Sequence, residues 1–310
     1  MKPDDRELSA SIHDFEAALS AKHFELKLPA LDVILAAIDG SNQSAMVLGL
    51  AAQIARRAST RLHVAYIHEG AANAESDAFL SQQVARLVAE GIEAVALARE
   101  PDSSPPYARI IAAADALDAD LVIVSAPFLE DFAALGSDSI GVTLDKLMTQ
   151  ARPLLVVREP RDDPAESLKP VLLPLSVHVQ ENPLAAAWAL RLIGDGGTIR
   201  LVAVVEDDVI EAAAELIGEH GAADLDLDHL ARLDRPEVAG LIAEMHRQAQ
   251  KRSLGCHVSV RRGDLVAQVI ELAEEGQRLI VTGRDTDPGS SSYRNVQALI
   301  RRARDPVLVV

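Results

Sequence analysis

The stretch Val33-Ile-Leu-Ala-Ala-Ile-Asp39-Gly-Ser-Asn-Gln-Ser44 decides the fold of this 310-residue chain. It is a short apolar run that ends in an acid, a glycine and several small polar residues. Short apolar runs bounded by turn-forming residues are typical of strands buried on both faces of a parallel sheet. We therefore predict a first strand here, with Asp39 and Ser41 or Ser44 placed to cap the helix that follows.

The composition predicts an acidic α/β protein of two domains. Hydrophobic residues make up 49% of the 310 residues and aromatic residues only 3%. The net charge of −17 disfavours nucleic acid and anionic membrane surfaces as partners, because nucleic-acid affinity comes mainly from cationic side chains. The single cysteine, Cys256, and the absence of a signal-peptide core or a long apolar run lead us to expect a cytoplasmic protein.

Strands and helices alternate after the first strand. The pattern predicts helix 45–57, strand 61–68, helix 78–90, strand 92–97, helix 107–117, strand 121–125, helix 143–150 and strand 153–157. This alternation predicts right-handed crossovers and a parallel sheet covered by helices on both faces.

The same order then starts again, after a charged and proline-bearing linker. The second series is strand 170–176, helix 183–193, strand 198–205, helix 236–252, strand 256–260, helix 265–274, strand 278–283, helix 296–303 and strand 305–310. Ala151-Arg-Pro-Leu-Leu-Val-Val157 matches Ala303-Arg-Asp-Pro-Val-Leu-Val-Val310. This match indicates an internal duplication.

Two segments stand outside the repeat. Apolar spacing over 4–22 predicts an N-terminal helix, followed by a short edge strand or an extended arm. The second half carries an insertion at 208–235, with a helix predicted at 208–218. Each segment either covers the protein's own surface or docks a partner, and the sequence leaves both readings open. We divide the chain into an N-terminal helix and arm (1–30), a first domain (31–158), a linker (159–168) and a second domain (169–310).

Four of these motifs resemble the universal stress protein family. They are Ile34-Leu-Ala-Ala-Ile-Asp-Gly-Ser41, Leu62-His-Val64, Ala119-Asp-Leu-Val-Ile-Val124 and Ala151-Arg-Pro-Leu-Leu-Val-Val157. The second half is similar to a divergent copy, so the whole resembles a tandem member. The resemblance implies two open, parallel, five-stranded α/β sheets flanked by helices, adenine nucleotide alpha hydrolase-like, with strand order 3-2-1-4-5. It also implies a pseudo-dimer in which strands 153–157 and 305–310 face each other.

The resemblance further implies a site for ATP or AMP at the crevice where the strand order reverses. In the family an acid at the end of the first strand holds the ribose. The phosphates lie in a loop patterned Gly-x-x-Gly, nine residues, Gly-Ser/Thr, where free N–H groups attract anions. In the first half Asp39 matches the acid and Ile67 the adenine-lining residue. The first loop glycine falls on Ser125, and the second falls on Phe128, which would fill space meant for phosphates.

The rest of the first-half loop matches only in part. Gly141 stands for the late glycine, and Thr143 follows one place later than the family's serine or threonine. Gly136 and Ser137 form an extra pair that would make an off-register phosphate cradle. Without a complete glycine loop, capping of the following helix is the favoured role of Asp39, with a ribose contact as the alternative.

The second half has complementary faults. Gly283 matches the first loop glycine, but the second falls on Thr286, the late glycine aligns near Tyr293, and Ser176 replaces the ribose acid. The run Gly289, Ser290, Ser291 and Ser292 is a candidate anion site at the next helix, or else a plain flexible turn.

The sequence contains no Walker loop, no Gly-x-Gly-x-x-Gly, no Gly-x-Ser-x-Gly and no His-x-x-x-His or Cys-x-x-Cys, so we expect no dedicated enzyme. Asp224-Leu-Asp-Leu-Asp228 resembles the start of a calcium loop, but His229 and Arg235 stand where its glycine and glutamate belong, so we expect a solvated acidic loop and no metal site. We expect a stress-response regulator that binds a ligand or a protein partner, with ATP or AMP affinity weak or lost in both halves. One alternative is an ATP- or AMP-binding switch or slow ATPase built on Asp39 and the first-half loop. Another is an interaction scaffold that uses the N-terminal helix and the insertion. Whether the tandem chain forms a homodimer stays open.

Overall fold

The computed structural model describes residues 25–68, 74–98, 104–137, 139–159, 163–175, 182–205, 236–276 and 278–310. The predicted N-terminal helix, the insertion at 208–235 and Ser176 lie outside these described residues. The interaction-scaffold alternative depends on two of these segments and stays a prediction.

Strands and helices alternate as the sequence pattern predicts. The strands are β1 (Val33–Ile38), β2 (Arg61–Tyr66), β3 (Ala94–Ala96), β4 (Leu121–Ser125), β5 (Leu154–Val157), β6 (Pro170–Leu175), β7 (Thr198–Val205), β8 (Gly255–Arg262), β9 (Leu279–Thr282) and β10 (Val307–Val309). The helices are α1 (Ser44–Ala58), α2 (Ala74–Ala89), α3 (Pro106–Leu117), α4 (Val142–Met148), α5 (Asn182–Leu192), α6 (Pro236–Lys251), α7 (Leu265–Glu274) and α8 (Ser291–Arg302), with a 3-10 turn at Glu166–Leu168.

All ten strands form one sheet, in the order β3-β2-β1-β4-β5-β10-β9-β6-β7-β8. Each half therefore has the strand order 3-2-1-4-5, which confirms the predicted α/β fold class. The prediction of two separate five-stranded sheets is wrong, because the pairing of β5 with β10 joins them into one. The two halves join where β5 and β10 pair antiparallel, with Leu155 opposite Leu308, while the neighbours within each half pair in parallel. The prediction that the last strands face each other is confirmed.

The hydrophobic core lies in two layers, one on each face of the sheet. Successive residues of a strand point to opposite faces, so Ile34 belongs to one layer and Leu35 to the other. Buried residues of α1, α2, α5 and α6 share the layer of Ile34, and those of α3, α4, α7 and α8 share the other. Both layers run across the two halves, because the sheet is continuous. The division of the chain into two domains stays a prediction.

The arm that precedes β1 crosses from the first half to the second. Residues 25–31 form no strand, so of the two predicted forms the extended arm describes them. Leu26 is buried, and its backbone hydrogen-bonds the carboxylate of Glu244 on α6. Burial raises the pKa of the Glu244 carboxyl, but hydrogen bonds from Arg247, Gln248 and Leu26 outweigh this effect and lower the pKa overall. The arm is thus tied to second-half residues.

The predicted start of α8 is wrong by several residues. The periodicity predicts a helix from 296, whereas α8 begins at Ser291. The Ser290 side chain accepts a hydrogen bond from the backbone N–H of Tyr293 at 3.1 Å and so caps the helix earlier. Among the described helices, none is long and apolar enough to cross a membrane.

Candidate functional site

The strand order reverses between β1 and β4, and this is where an open α/β sheet offers a ligand crevice. Asp39 follows β1, Ser125 ends β4 and Ile67 follows β2. The Ser125 hydroxyl donates to Asp39 Oδ2 at 3.1 Å, and Ile67 is buried in the layer of Leu35. The structure therefore brings three of the predicted site residues to one edge of the sheet.

The carboxylate of Asp39 is occupied by the protein itself. Its Oδ1 accepts hydrogen bonds from the Ser41 N–H at 3.0 Å, the Ser41 hydroxyl at 2.5 Å and the Ser44 hydroxyl at 3.1 Å. Its Oδ2 accepts from the Ser125 hydroxyl at 3.1 Å and from the Leu129 N–H at 3.3 Å. A carboxylate offers about four lone-pair sites, so five internal donors leave no capacity for the hydroxyls of a ribose.

The predicted capping role of Asp39, Ser41 or Ser44 is wrong. The N-cap residue of α1 is Gln43, and no side chain caps the helix. Asp39 accepts from the Ser44 hydroxyl and the Ser41 N–H, and neither is an N–H group of the helix. Its carboxylate instead closes the turn over Gly40, whose N–H donates to Ser44 Oγ at 3.0 Å.

The loop after β4 is anchored in the core. Phe128 stands at the position of the family's second loop glycine, and it is only 1% exposed. Its side chain belongs to the same hydrophobic layer as Leu35, Ile140 and Leu144. The next backbone N–H, that of Leu129, already donates to Asp39. The Phe128 side chain therefore packs in the core, and the Leu129 N–H is not free to bind a phosphate.

A second carboxylate lies at the start of α4, where the predicted Gly141 and Thr143 are found. Gly141 has φ +89, and a Cβ there would lie 2.8 Å from Glu130 Oε2. The Thr143 N–H donates to Glu130 Oε1 at 3.4 Å, and the Gly141 N–H donates to Ser139 Oγ at 3.2 Å. The protein's own anion thus stands where the resemblance would place a phosphate.

Gly136 and Ser137 lie apart from this arrangement. Both are exposed, and a Cβ at Gly136 would meet nothing within 4 Å. The Gly136 carbonyl accepts a hydrogen bond from the Ser139 N–H at 3.1 Å. Among the contacts of the described residues, none joins this pair to Asp39. The phosphate cradle at Gly136 and Ser137 stays a prediction.

The loop after β9 in the second half is closed by its own acids. Gly283 is buried directly after the strand. The Asp287 N–H donates to Asp285 Oδ1 at 2.9 Å, and the Gly289 N–H donates to Asp287 Oδ1 at 3.0 Å. These carboxylates take up loop donors and add negative charge where an anion would have to approach.

The serine run after Gly289 belongs mainly to the start of α8. Ser290 caps the helix, Ser291 is exposed, and the buried Ser292 accepts a hydrogen bond from the Asp285 N–H at 3.3 Å. The alternative of a plain turn describes Gly289 and Ser290 but is wrong for Ser291 and Ser292, which are helical. Its role as an anion site stays a prediction.

Sequence reasoning missed a cluster at the junction of the two halves. Tyr293 is only 1% exposed, and its hydroxyl lies 2.8 Å from Asp145 Oδ1 and 3.1 Å from the Asp145 carbonyl. Gln297 Nε2 donates to the same Asp145 Oδ1 at 2.8 Å. Burial, followed by the hydrogen bond to Asp145, raises the pKa of the Tyr293 phenol. The only sequence signal was a large residue near a position where the family has glycine.

Arginines complete this junction. Arg284 is buried, and its guanidinium donates to the carbonyls of Gln150 and Arg152; burial lowers its pKa to about 10. Arg301 donates to the Phe132 carbonyl at 2.9 Å and places Cζ 4.2 Å from the centre of the Phe132 ring. Cation–π contact adds to the hydrogen bond. These groups tie second-half side chains to first-half loops.

Comparisons with known proteins agree with the fold. A sequence model of the universal stress protein family matches residues 31–158. No curated protein matches the chain significantly. A functionally unknown protein from Pseudomonas aeruginosa PAO1 is 17% identical, with a TM-score of 0.59, over 91% of this chain and 92% of its own. A universal stress protein from Archaeoglobus fulgidus DSM 4304 is 15% identical, with a TM-score of 0.57, over 90% of this chain and 95% of its own.

Both of these structures share the fold across nearly the whole chain. A universal stress protein from Archaeoglobus fulgidus in complex with dAMP is 19% identical, with a TM-score of 0.32, over 41% of this chain and 97% of its own. Among the described residues, no group of three or more His, Cys, Asp or Glu side chains could hold a metal ion.

Proposed function

We propose that this protein, whose residues 31–158 match a sequence model of the universal stress protein family, is a stress-response regulator that works by binding and conformational coupling. In this proposal its nucleotide affinity is weak or lost in both halves. The observation that carries the proposal is the Asp39 carboxylate, which accepts five internal hydrogen bonds. A ribose would have to break these bonds before it could make its own.

The electrostatics of the first crevice support the same conclusion. An ATP phosphate at the start of α4 would meet the carboxylate of Glu130, which already accepts from the Thr143 N–H. A phosphate and a carboxylate that share the same N–H group repel each other strongly where water is partly excluded. The phosphate would therefore have to displace Glu130 rather than enter a vacant cradle.

Isothermal titration calorimetry with ATP and with AMP, each with and without Mg²⁺, tests this proposal. We expect dissociation constants weaker than about 10 μM, because the free energy gained would be spent on breaking internal bonds. Tighter, Mg²⁺-dependent binding would contradict the proposal. Glu130→Gln is the informative variant, since it removes the competing charge and nearly keeps the shape; its ATP affinity should exceed that of the wild type.

A second candidate is an ATP- or AMP-binding switch in the first half. One observation favours it: Asp39, Ser125 and Ile67 meet at the carboxyl edge where such a ligand is expected. If this candidate is right, Asp39→Ala should weaken nucleotide binding more than tenfold. An unchanged affinity in that variant would remove it. Turnover of ATP would be measured in the same samples as released phosphate.

A further inference from the structure

One face of helix α8, in the second half, contacts the first half. Tyr293, Gln297 and Arg301 are spaced four residues apart, so they lie one above the other on that face. Tyr293 and Gln297 both contact Asp145 on α4, and Arg301 holds the carbonyl and ring of Phe132. Three consecutive turns of one helix therefore contact two separate elements of the other half.

These two elements lie on either side of the residues that close the first crevice. Phe132 follows Phe128, Leu129 and Glu130 in the loop after β4, and Asp145 lies one turn into the helix whose first turn Glu130 contacts. A phosphate at the start of α4 would require Glu130 to move. The Glu130 side chain joins the two elements, because it extends from the loop that Arg301 holds to the first turn of α4, which Tyr293 and Gln297 hold.

Arg158 strengthens the same junction from the first half. Its guanidinium carbon lies 5.3 Å from the centre of the Phe132 ring, and its Nη1 donates to the Ala303 carbonyl at 3.4 Å. The Phe132 ring is therefore in contact with cations from the end of β5 and from α8. Within the loop, Phe132 is therefore a point of attachment to the second half, whereas its neighbours Ala133 and Ala134 are exposed.

We propose that Tyr293, Gln297 and Arg301 form a latch by which the second half controls access to the first-half crevice. With the latch closed, the loop after β4 and α4 are held in the arrangement that keeps Asp39 and Glu130 engaged. A change in the second half that shifts α8 releases both elements together. This inference rests on the proposed function, in which the first crevice is closed by internal contacts.

Hydrogen–deuterium exchange by mass spectrometry of the full chain tests the latch. Two latch variants are compared with the wild type: Tyr293→Phe combined with Gln297→Ala, and Arg301→Gln. We expect exchange in segments 126–137 and 142–148 to become about tenfold faster in Arg301→Gln, the change that follows the loss of one hydrogen bond to a charged group, and at least as fast in the double variant, which loses the hydrogen bonds of two side chains to Asp145. The controls are Arg294→Gln and Arg302→Gln, whose side chains lie exposed on the same helix; both should exchange like the wild type.

Three results would overturn the latch. Exchange in both segments could equal that of the wild type, the acceleration could be confined to α8 itself, or the control variants could show the same acceleration. Equal protection of β7 in all variants is required, and it excludes general unfolding as the cause. Calorimetry of the wild type with ATP separates this test from that of the proposed function: tight binding would refute the closed crevice, whereas unchanged exchange in the latch variants refutes the latch.

Discussion

Replacing Asp39 by alanine tests whether its carboxylate stabilises the folded protein or serves only to bind a ligand. In the structure the side chain joins the ends of β1 and β4, because it accepts from Ser41 and Ser44 on one oxygen and from Ser125 and Leu129 on the other. If these bonds matter, the variant should lose stability without any nucleotide present. If Asp39 served only a ribose, the protein alone would be unaffected.

The size of the loss follows from the donors that are left behind. The Leu129 N–H cannot turn toward another acceptor, and the Ser125 side chain is fully buried with 0% exposure. Each buried donor left unpaired costs about 1–3 kcal/mol, so the two together should lower the free energy of unfolding by about 3 kcal/mol. At about 2 °C for each kcal/mol, the melting temperature should fall by about 6 °C.

Thermal unfolding followed by far-ultraviolet circular dichroism, in buffer without nucleotide, measures this change. Asp131→Ala is the matched control, since Asp131 is exposed and accepts one hydrogen bond, from the Ala133 N–H at 2.9 Å. That variant should melt near the wild type. If Asp39→Ala melts at the same temperature as Asp131→Ala, the internal network does not support the fold and the reasoning fails.

Two further changes test the loop geometry and the environment of the thiol. Gly141→Ala should lower the free energy of unfolding in urea by about 1–2 kcal/mol, because φ is +89 and the new Cβ would meet the Glu130 carboxylate. The control Gly136→Ala, with open space around the new Cβ, should unfold near the wild type. Equal effects of the two substitutions would contradict the geometry. Burial raises the pKa of the Cys256 thiol to about 11, so thiolate is scarce at pH 8 and alkylation by iodoacetamide should quicken about tenfold per pH unit toward pH 11. A rate that levels off near pH 9 would show an unperturbed thiol.

The sheet could be predicted because its strands carry their own boundaries. The predicted strand 121–125 and strand 198–205 agree with β4 and β7, and the predicted helix 265–274 agrees with α7. Each is bounded by turn or capping residues close to it in sequence; Asp264, for example, caps α7 by accepting the Ala267 N–H at 2.7 Å. The start of α8 was missed because a serine-rich run is compatible with both a loop and a capped helix.

The crevice could be predicted only as far as its nearest residues. The end of β1 and the end of β4 meet by topology, so Asp39 and Ser125 were expected together. The hydrogen bonds that occupy Asp39 could not be predicted, since they depend on where the loop residue Leu129 lies after folding. The position of Glu130 at the start of α4 could not be predicted for the same reason. The junction was still less accessible, because Tyr293 and Asp145 are 148 residues apart in sequence. Periodicity indicates which face of a helix or strand is apolar, but it does not indicate which side chain of a distant element contacts that face.

Large residues stand at or near two of the positions where the family has a loop glycine. Phe128 and Tyr293 are each 1% exposed and belong to the same hydrophobic layer. Burying side chains of this size stabilises a protein by about 1.5–3 kcal/mol each, so removing either would leave a cavity at considerable cost. Replacing either residue by glycine should therefore weaken the core and, at Tyr293, break the contact with Asp145. Phe128 thus contributes to the core, and Tyr293 contributes to the core and also joins the second half to Asp145 of the first.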